Sequence, residues 1–206
     1  MVAEVIHAVN SSSGSRAALR RALRHGPDSE QARNAHRIVA PYLPAGAGQA
    51  AERAFYAVAS MIAAQPRNAR DDARDNADAG HVEDPGEVEL DADSWESRQT
   101  LGQTLGRAAA LGKVEFDSME KHLHLLCRQH LHGIHQHLPR LVMRLRAELV
   151  EIDWPRLVVD LADWPYGRDR IAKRWLQDFY RTHHALTAGQ KKTAAKNSES
   201  SESEDQ

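Results

Sequence analysis

A row of apolar residues at helical spacing runs through the C-terminal half of the chain. Its members, spaced to fall on one face of an α-helix, are Ile134, Leu138, Leu141, Leu145 and Leu149. Pro139 interrupts this row and predicts either a kink or a fresh helix start. No segment of the sequence alternates apolar and polar residues as a half-buried strand does. The sequence therefore predicts an all-α protein.

Composition supports the same fold class. Apolar residues make up 41% of the 206 positions, and aromatic residues make up only 5%. Leu and Ala dominate the apolar set, and both suit helices better than strands. Trp154, Trp164 and Trp175 occur among Leu and Val at helical spacing, so they are predicted to lie in the core rather than to stack on bases. We predict a compact helical bundle of about eight helices in two subregions, separated by an acidic loop.

Helix start and stop signals place the predicted elements. The N-terminal region, residues 1–67, is predicted to hold helices at 2–9, 16–24, 30–40 and 49–64, and Ser15 is the predicted cap of the second helix. The C-terminal bundle, residues 97–188, is predicted to hold five helices. The first spans 98–111, the second follows a capping box of Asp117 and Glu120, and the third contains the apolar row. The fourth follows a cap at Asp153, and the fifth spans 168–186.

Two further segments are polar and acidic. Residues 68–96 are dense in Asp and Glu and are interrupted by Gly and Pro, so they are predicted to form a disordered acidic loop. Residues 189–206 are predicted to form a disordered tail.

The net charge of −2 hides a strong segregation of charge along the chain. Residues 1–70 hold nine Arg and four acidic residues, and residues 97–192 hold sixteen basic and ten acidic residues. Residues 71–96 hold one Arg and eleven acidic residues. Acidic segments therefore mask two basic ones, and a basic segment is the electrostatic footprint of a nucleic-acid partner.

Arginines line one face of the predicted helix at 16–24. Arg16, Arg20 and Arg24 recur at i, i+4 and i+8, and Arg21 lies beside them. Guanidinium groups so close together repel one another unless an anion lies against them, and a guanidinium binds phosphate in bidentate fashion. The alternative is a solvated face whose charges pair with acidic residues elsewhere, including those of the acidic loop.

A second basic row lies opposite the apolar row. His137, Arg140 and Arg144 recur at i, i+3 and i+7, and Arg128 lies upstream in an adjacent helical segment. Such rows would bind the phosphate backbone without reading base sequence, and the affinity would fall with salt by a logarithmic slope of about −0.9 per neutralised phosphate. Neither zinc-finger spacing nor the aromatic pattern of a base-reading sheet is found in the sequence.

Catalytic and metal-binding patterns are weak. Six histidines crowd residues 122–137, but only His132 and His135 have the spacing of two metal ligands on a helix, and no HExxH pattern completes them. Cys127 lies in an amphipathic segment, which favours a structural thiol. The sequence has no P-loop, GxSxG or nuclease-type His-Asp doublet. We predict a chain that is not an enzyme and needs no metal or cofactor.

Compartment signals are few. The N-terminus lacks the features of a signal peptide, and no stretch reaches the roughly 18 consecutive apolar residues of a membrane span. With Cys127 as its single cysteine, the chain can form no internal disulfide. The expected location is the cytoplasm, without a membrane partner.

Three stretches of the sequence are distinctive in combination. An Asp-Trp segment at 152–180 contains Asp153-Trp154-Pro155, Asp163-Trp164 and Trp175, a Leu-Gly stretch occupies 101–106, and an arginine stretch occupies 17–23. Together they resemble the CasB family, the small subunit of the type I-E CRISPR surveillance complex called Cascade. The resemblance covers most of residues 15–186.

The resemblance implies an all-helical protein without enzymatic activity, present in two copies beside the guide RNA and its target DNA. It implies that the basic surface holds the displaced DNA as a single strand, while a separate nuclease cleaves. By position, Arg20 or Arg21, Arg128 and Arg140 match the family's basic surface residues. Gln103 stands where some relatives carry Arg, and Arg107, one turn later, is the candidate substitute.

Our leading interpretation is a Cascade small subunit that binds single-stranded DNA, or guide RNA, alongside other Cascade subunits and a second copy of itself. The candidate binding residues are Arg16, Arg20, Arg21, Arg24, Arg107, Arg128, Arg140 and Arg144. The main alternative is a structural scaffold whose basic faces dock protein partners. A helix-turn-helix regulator is a weaker alternative, because no recognition helix follows a tight glycine turn.

Overall fold

The computed structural model of the chain describes residues 1–72 and 98–202, with side chains up to residue 193. Residues 73–97, which hold most of the predicted acidic loop, and residues 203–206 lie outside the described part. Every regular element in the described part is helical, which confirms the all-α prediction.

The α-helices are numbered in chain order. They are α1 (Val2–Ser11), α2 (Ser13–Arg21), α3 (His36–Val39), α4 (Gln49–Ala64), α5 (Leu101–Ala110), α6 (Phe116–Cys127), α7 (Leu131–Ala147), α8 (Trp154–Ala162) and α9 (Trp164–Glu202). Short 3-10 helices at Glu30–Ala35 and Ala40–Tyr42 flank α3, and residues 67–72 are also helical.

A single hydrophobic core contains residues from both sides of the acidic segment. Helix α4 lies at its centre, because it packs against α1 and α2 before it in the chain and against α7 and α8 after it. Its buried side chains include Ala54, Val58 and Ile62. The arginine-bearing helix α2 is therefore anchored to the same core as the C-terminal helices.

The apolar row of the C-terminal half is largely confirmed. Ile134, Leu138, Leu141 and Leu145 on α7 are each at most 2% exposed. Leu149 does not belong to the row, because α7 ends at Ala147 and the chain turns there through a positive φ of 52° at Leu149. Pro139 lies inside α7 and starts no new helix.

The predicted Trp positions in the core are also confirmed. Trp154, Trp164 and Trp175 are buried, with at most 8% exposure. The rings of Trp164 and Trp175 lie 5.1 Å apart between centroids, which ties the start of α9 to its third turn.

The predicted helix at 16–24 differs from the observed α2 at both ends. The cap is Ser12 rather than Ser15, because Ser12 is extended and its side chain accepts a hydrogen bond from the Ser15 amide at 3.2 Å. The helix ends at Arg21, so Arg24 lies beyond it with a φ of 70°. The i, i+4, i+8 row of arginines is therefore corrected to Arg16 and Arg20, with Arg24 in the following turn.

Two other predicted helix starts are corrected. The predicted helix at 30–40 is a 3-10 helix followed by the single α-turn of α3, because Pro41 prevents its extension. The predicted capping box of Asp117 and Glu120 is absent, since α6 begins at Phe116 after Glu115, without a side-chain cap. A capping box does open α5, where Thr100 and Gln103 bond each other's backbone amides.

The predicted boundaries of the acidic loop and the tail are corrected as well. Residues 67–72 are helical, so the helical part of the N-terminal half extends beyond residue 68. Helix α9 continues past Gly189 to Glu202, although the sequence predicted a disordered tail from residue 189. The following Ala, Lys, Gln and Glu residues favour helix, and the single Gly189 weakens it by only about 1 kcal/mol.

Candidate nucleic-acid interface

Helix α2 presents its arginines on the face opposite the core. Ala18 and Leu19 are buried against α4, while Arg20 and Arg21 are exposed and Arg16 is half-buried. The helical period places buried and basic residues on different faces. In the described part of the chain, no carboxylate lies within ion-pair distance of Arg16, Arg20 or Arg21.

The helical turn at 67–72 adds two more arginines to this surface. Burial lowers the pKa of Arg70, and the positive charges of Arg16, Arg20 and Arg67 lower it further, while Asp71 opposes them. Arg70 Nε donates to the Gln65 carbonyl at 3.3 Å, which fixes its position. We call these four residues, Arg16, Arg20, Arg67 and Arg70, the arginine cluster.

Sequence reasoning missed half of this cluster. Arg67 and Arg70 adjoin the run of acidic residues, and the predicted boundary between the N-terminal region and the acidic loop falls between them. Their i, i+3 spacing was the available signal. Arg67 forms an ion pair with Asp71 at 3.4 Å, but both side chains are largely exposed and the pair contributes little to stability.

A side chain of α7 contacts the main chain of Arg24, in the turn after α2. The Gln136 side chain donates to the Arg24 carbonyl at 2.8 Å. Arg140 follows Gln136 by one helical turn, so it lies on the same face of α7 and is exposed. The structure thus joins the helix that carries the second basic row to the turn after α2.

The remaining candidate arginines lie elsewhere. Arg144 donates to the Ser118 hydroxyl on α6 at 2.7 Å, and Arg128 is exposed at the C-cap of α6. Arg107 is exposed on α5 and lines a depression together with Lys113. These three candidates lie on α5, at the C-cap of α6 and on α7 rather than on α2. Gln103 is engaged in the α5 capping box.

A buried network joins the elements of the Asp-Trp segment. The carboxylate of Asp160 on α8 accepts hydrogen bonds from Arg156 Nε at 3.1 Å, from Arg174 at 2.6 Å and from Trp175 Nε1 at 2.6 Å. Asp160 and Arg156 are almost fully buried. Burial raises the pKa of Asp160, and the Trp175 hydrogen bond and the two guanidinium charges oppose that rise.

This network corrects one interpretation of the sequence. Helical spacing alone predicts that Arg174 is a surface residue paired with Asp169 or Asp178, whereas its guanidinium bonds the buried Asp160. Asp178 instead accepts a hydrogen bond from the Thr100 hydroxyl at 2.7 Å. The Asp-Trp segment is thus distinctive because it holds α8, α9 and the start of α5 together.

The comparisons with known proteins agree with this arrangement. The family profile of CRISPR-associated protein Cse2 matches residues 15–180, from α2 into α9. The chain belongs to the Cse2 family. This confirms the resemblance to the Cascade small subunit. Helix α1 precedes the matched region.

Two chains in solved structures resemble this Cse2 family member over most of its length. One comes from a structure described as "CRISPR RNA-guided surveillance complex, pre-nicking", with 40% identity, a TM-score of 0.77 and coverage of 91% of this chain and 94% of that chain. The other comes from a "CRISPR RNA-guided surveillance complex", with 39% identity, a TM-score of 0.74 and the same coverage. No curated protein sequence matched the chain.

A second buried arginine of this Cse2 family member joins the N-terminal and C-terminal parts. Arg146 on α7 is 3% exposed and donates to the Gln65 side chain at 2.6 Å and to the carbonyls of Ala69 and Val150. Burial lowers its pKa, and the charges of Asp72 and Glu151 oppose this. Its role is structural, and its position along α7 does not by itself distinguish it from Arg144.

The histidines do not converge on a metal site. Within residues 1–72 and 98–202, no group of three or more His, Cys, Asp or Glu side chains is arranged to hold a metal ion. His124 bonds the Tyr180 hydroxyl, which also donates to Glu120. His135 is buried, and neither of its ring nitrogens has a hydrogen-bond partner among the described residues.

His135 should make folding sensitive to acid. Burial lowers its pKa from 6.5 to about 3, and the charges of Arg53 and His132 act in the same direction. Because the folded pKa lies below the unfolded one, His135 favours unfolding as the pH falls from 6.5 towards 3, by up to about 1.4 kcal/mol per pH unit. Denaturant unfolding across this window should show a shallower pH slope for His135→Leu than for the wild type. An equal slope in His135→Leu, or the same flattening in the exposed-site control His7→Leu, would contradict this.

The remaining chemistry-bearing groups fit a structural role. Burial raises the pKa of the Cys127 thiol to about 11, so little of it ionises near neutral pH. Among the described residues, none of the helices combines the length and apolar character that crossing a bilayer requires.

Proposed function

We propose that the chain is a non-catalytic subunit of an RNA-guided CRISPR surveillance complex of the Cascade type. In this role it holds the backbone of the target or displaced DNA strand, with guide RNA as a further ligand, and so stabilises the R-loop. Membership of the Cse2 family supports the assignment to a surveillance complex. The arginine cluster supports the assignment of a nucleic-acid ligand. Assembly with other subunits and with a second copy of the chain, in the cytoplasm, belongs to the same proposal.

The observation that supports the ligand is the excess of positive charge in the arginine cluster, where Asp71 is the one carboxylate within the described residues that acts on Arg67 and Arg70. Four guanidinium groups lie close enough for three of them to lower the pKa of the fourth. Phosphates placed between them would relieve the repulsion and accept bidentate hydrogen bonds. Such contacts do not depend on base sequence, which suits a complex in which base pairing with the guide reads the target.

The energetic scale of R-loop formation makes a few such contacts sufficient. The RNA–DNA heteroduplex is about as stable as the DNA duplex that it replaces, so the exchange is nearly balanced. Protein contacts to the freed strand then decide whether the R-loop persists. Arg24 and Arg140 would extend the contact beyond the arginine cluster, since both lie where α7 meets the turn after α2.

The scaffold alternative has support at two of the other arginines. Leu125, which is 43% exposed, lies beside Arg128, and Leu111, which is 55% exposed, lies beside Arg107. An exposed apolar side chain next to arginine is typical of protein interfaces. We therefore assign the nucleic-acid role first to the arginine cluster, and keep docking of protein subunits as the alternative for Arg107 and Arg128.

Charge reversal in the arginine cluster tests the proposal. The double variant Arg16→Glu, Arg20→Glu should fold, because both new carboxylates can pair with Arg67 and Arg70. In the reconstituted complex, we expect R-loop formation on target duplex DNA to weaken at least about tenfold, and its logarithmic salt dependence to become shallower by about 2.

The matched control is Lys191→Glu, Lys192→Glu, which makes the same change in net charge at exposed residues near the distal end of α9. We expect this control to retain R-loop formation. Undiminished R-loop formation by the Arg16, Arg20 variant would refute the proposed ligand. Loss of that variant from the purified complex would support the scaffold alternative instead.

A further inference from the structure

One aromatic side chain lies almost wholly in solvent. Tyr166 is 85% exposed, while the other exposed large hydrophobic side chains in the described part of the chain reach at most 55%. An isolated exposed apolar residue needs no explanation by itself. The rigidity of its backbone and the charges around it distinguish Tyr166.

The backbone beneath Tyr166 is held firmly. The preceding Trp164 is 1% exposed, and its Nε1 donates to the Gln129 carbonyl at 3.0 Å. The amides of Tyr166 and Gly167 both donate to the Asp163 carbonyl, at 3.0 and 2.9 Å. The ring therefore stands on a fixed turn between α8 and the body of α9, and binding a ligand would immobilise little additional backbone.

Two arginine side chains line the same depression as the ring. Arg168 lies 3.0 Å from Asp169 and 3.3 Å from the Nδ1 atom of His130, which hold its guanidinium in place. Arg170 makes only a long contact of 3.8 Å to Asp163 and is 71% exposed. With Tyr166 these residues line an open depression of about 580 Å³, within the range of roughly 300–1,000 Å³ typical of small-ligand sites.

We propose that Tyr166 is a stacking platform for a base of single-stranded nucleic acid, with Arg168 and Arg170 contacting the adjacent phosphates. Stacking on an aromatic ring tolerates any base, and guanidinium groups bind phosphate or stack in turn. This inference rests on the proposed function, and it adds a contact to the bases, where the arginine cluster contacts only the backbone.

Two observations favour nucleic acid over a protein at this place. A single exposed ring among guanidinium groups matches a stacking site, whereas a protein interface builds its centre from several apolar side chains. The charged side chains that line the depression also carry a net positive charge, because Arg168 and Arg170 outnumber Asp169, and positive charge attracts a polyanion.

The test compares base-containing and abasic strands. Binding of the full chain is measured by fluorescence anisotropy, across a salt series, with oligodeoxythymidylate and with an abasic deoxyribose-phosphate strand of equal length. For Tyr166→Ala we expect about 5- to 100-fold weaker binding of oligodeoxythymidylate, no change for the abasic strand and an unchanged salt slope. Tyr166→Trp should restore binding, and Tyr42→Ala, at another exposed tyrosine, should leave it unchanged.

The outcomes separate this inference from the proposed function. Normal binding by Tyr166→Ala, with weakened binding by Arg16→Glu, Arg20→Glu, would overturn the stacking platform and leave the proposed function standing. Normal binding by both variants would overturn both. Equal weakening of the base-containing and abasic strands would exclude stacking. Normal strand binding with reduced incorporation into the assembled complex would identify Tyr166 as a protein-docking residue.

Discussion

Gly102→Ala should destabilise the protein by about 3 kcal/mol or more and prevent stable folding in most preparations. A Cβ atom at Gly102 would overlap the Trp175 carbonyl group, and one at Gly106 would lie 2.5 Å from the Phe179 carbonyl oxygen. The clash is with backbone, so no side-chain rotation relieves it. Helices α5 and α9 would have to move apart and expose the core beneath them.

The same exchange at Gly189 is the matched control. Gly189 lies within α9, and a Cβ there meets no atom within 4 Å. Gly189→Ala should therefore stabilise the helix by up to about 1 kcal/mol. Denaturant unfolding followed by circular dichroism measures both variants. Similar midpoints for Gly102→Ala and wild type would contradict the close approach of α5 and α9.

Asp160→Ala should cost about 3–5 kcal/mol, because it removes a buried carboxylate that accepts hydrogen bonds from two guanidinium groups and an indole N–H. Arg156 is 4% exposed, and Trp175 would lose the acceptor of its indole N–H. In both cases a buried donor group loses its hydrogen-bond acceptor, and the alanine side chain offers no replacement. Far less of the variant should be recovered in soluble, folded form, and its thermal midpoint should fall sharply.

Two comparison variants separate charge from packing. Asp160→Asn keeps the shape and one acceptor oxygen, so it should lose less stability than Asp160→Ala. Asp169→Ala removes an 89% exposed partner of Arg168, and it should change stability by at most about 0.5 kcal/mol. If Asp160→Ala were as mild as Asp169→Ala, the buried network would be redundant for folding.

The helical period made the fold class and much of the core predictable. The apolar row of α7 and the three core Trp residues follow from spacing alone, because a side chain every third or fourth residue faces the same partner. Helix ends were less predictable, because several Ser residues compete to cap α2. Ser12 caps it because its backbone is extended there, which is a property of the folded chain.

The candidate site was predictable only where it lay within one helix. Arg16 and Arg20 share a face of α2, which the sequence shows directly. Arg67 and Arg70 join them through tertiary packing of residues 67–72. In the sequence this segment is adjacent to a run of acidic residues, which conceals its contribution to a basic surface. The buried contacts of Arg146 and Arg174 could not be predicted for the same reason. Burial depends on tertiary packing, and neither residue type nor helical spacing distinguishes a buried arginine from an exposed one.

The glycine contact between α5 and α9 bears on the geometry of binding. Where two backbones touch without intervening side chains, neither helix can slide or rotate by a fraction of an ångström without a clash. Arg107 directly follows Gly106, and Arg168 begins the part of α9 that follows the non-helical backbone at Gly167, so the contact sets the spacing of these two positions. A ligand strand that contacts both positions must match the distance between them. The protein can therefore discriminate between ligands by the spacing of their phosphates as well as by their charge.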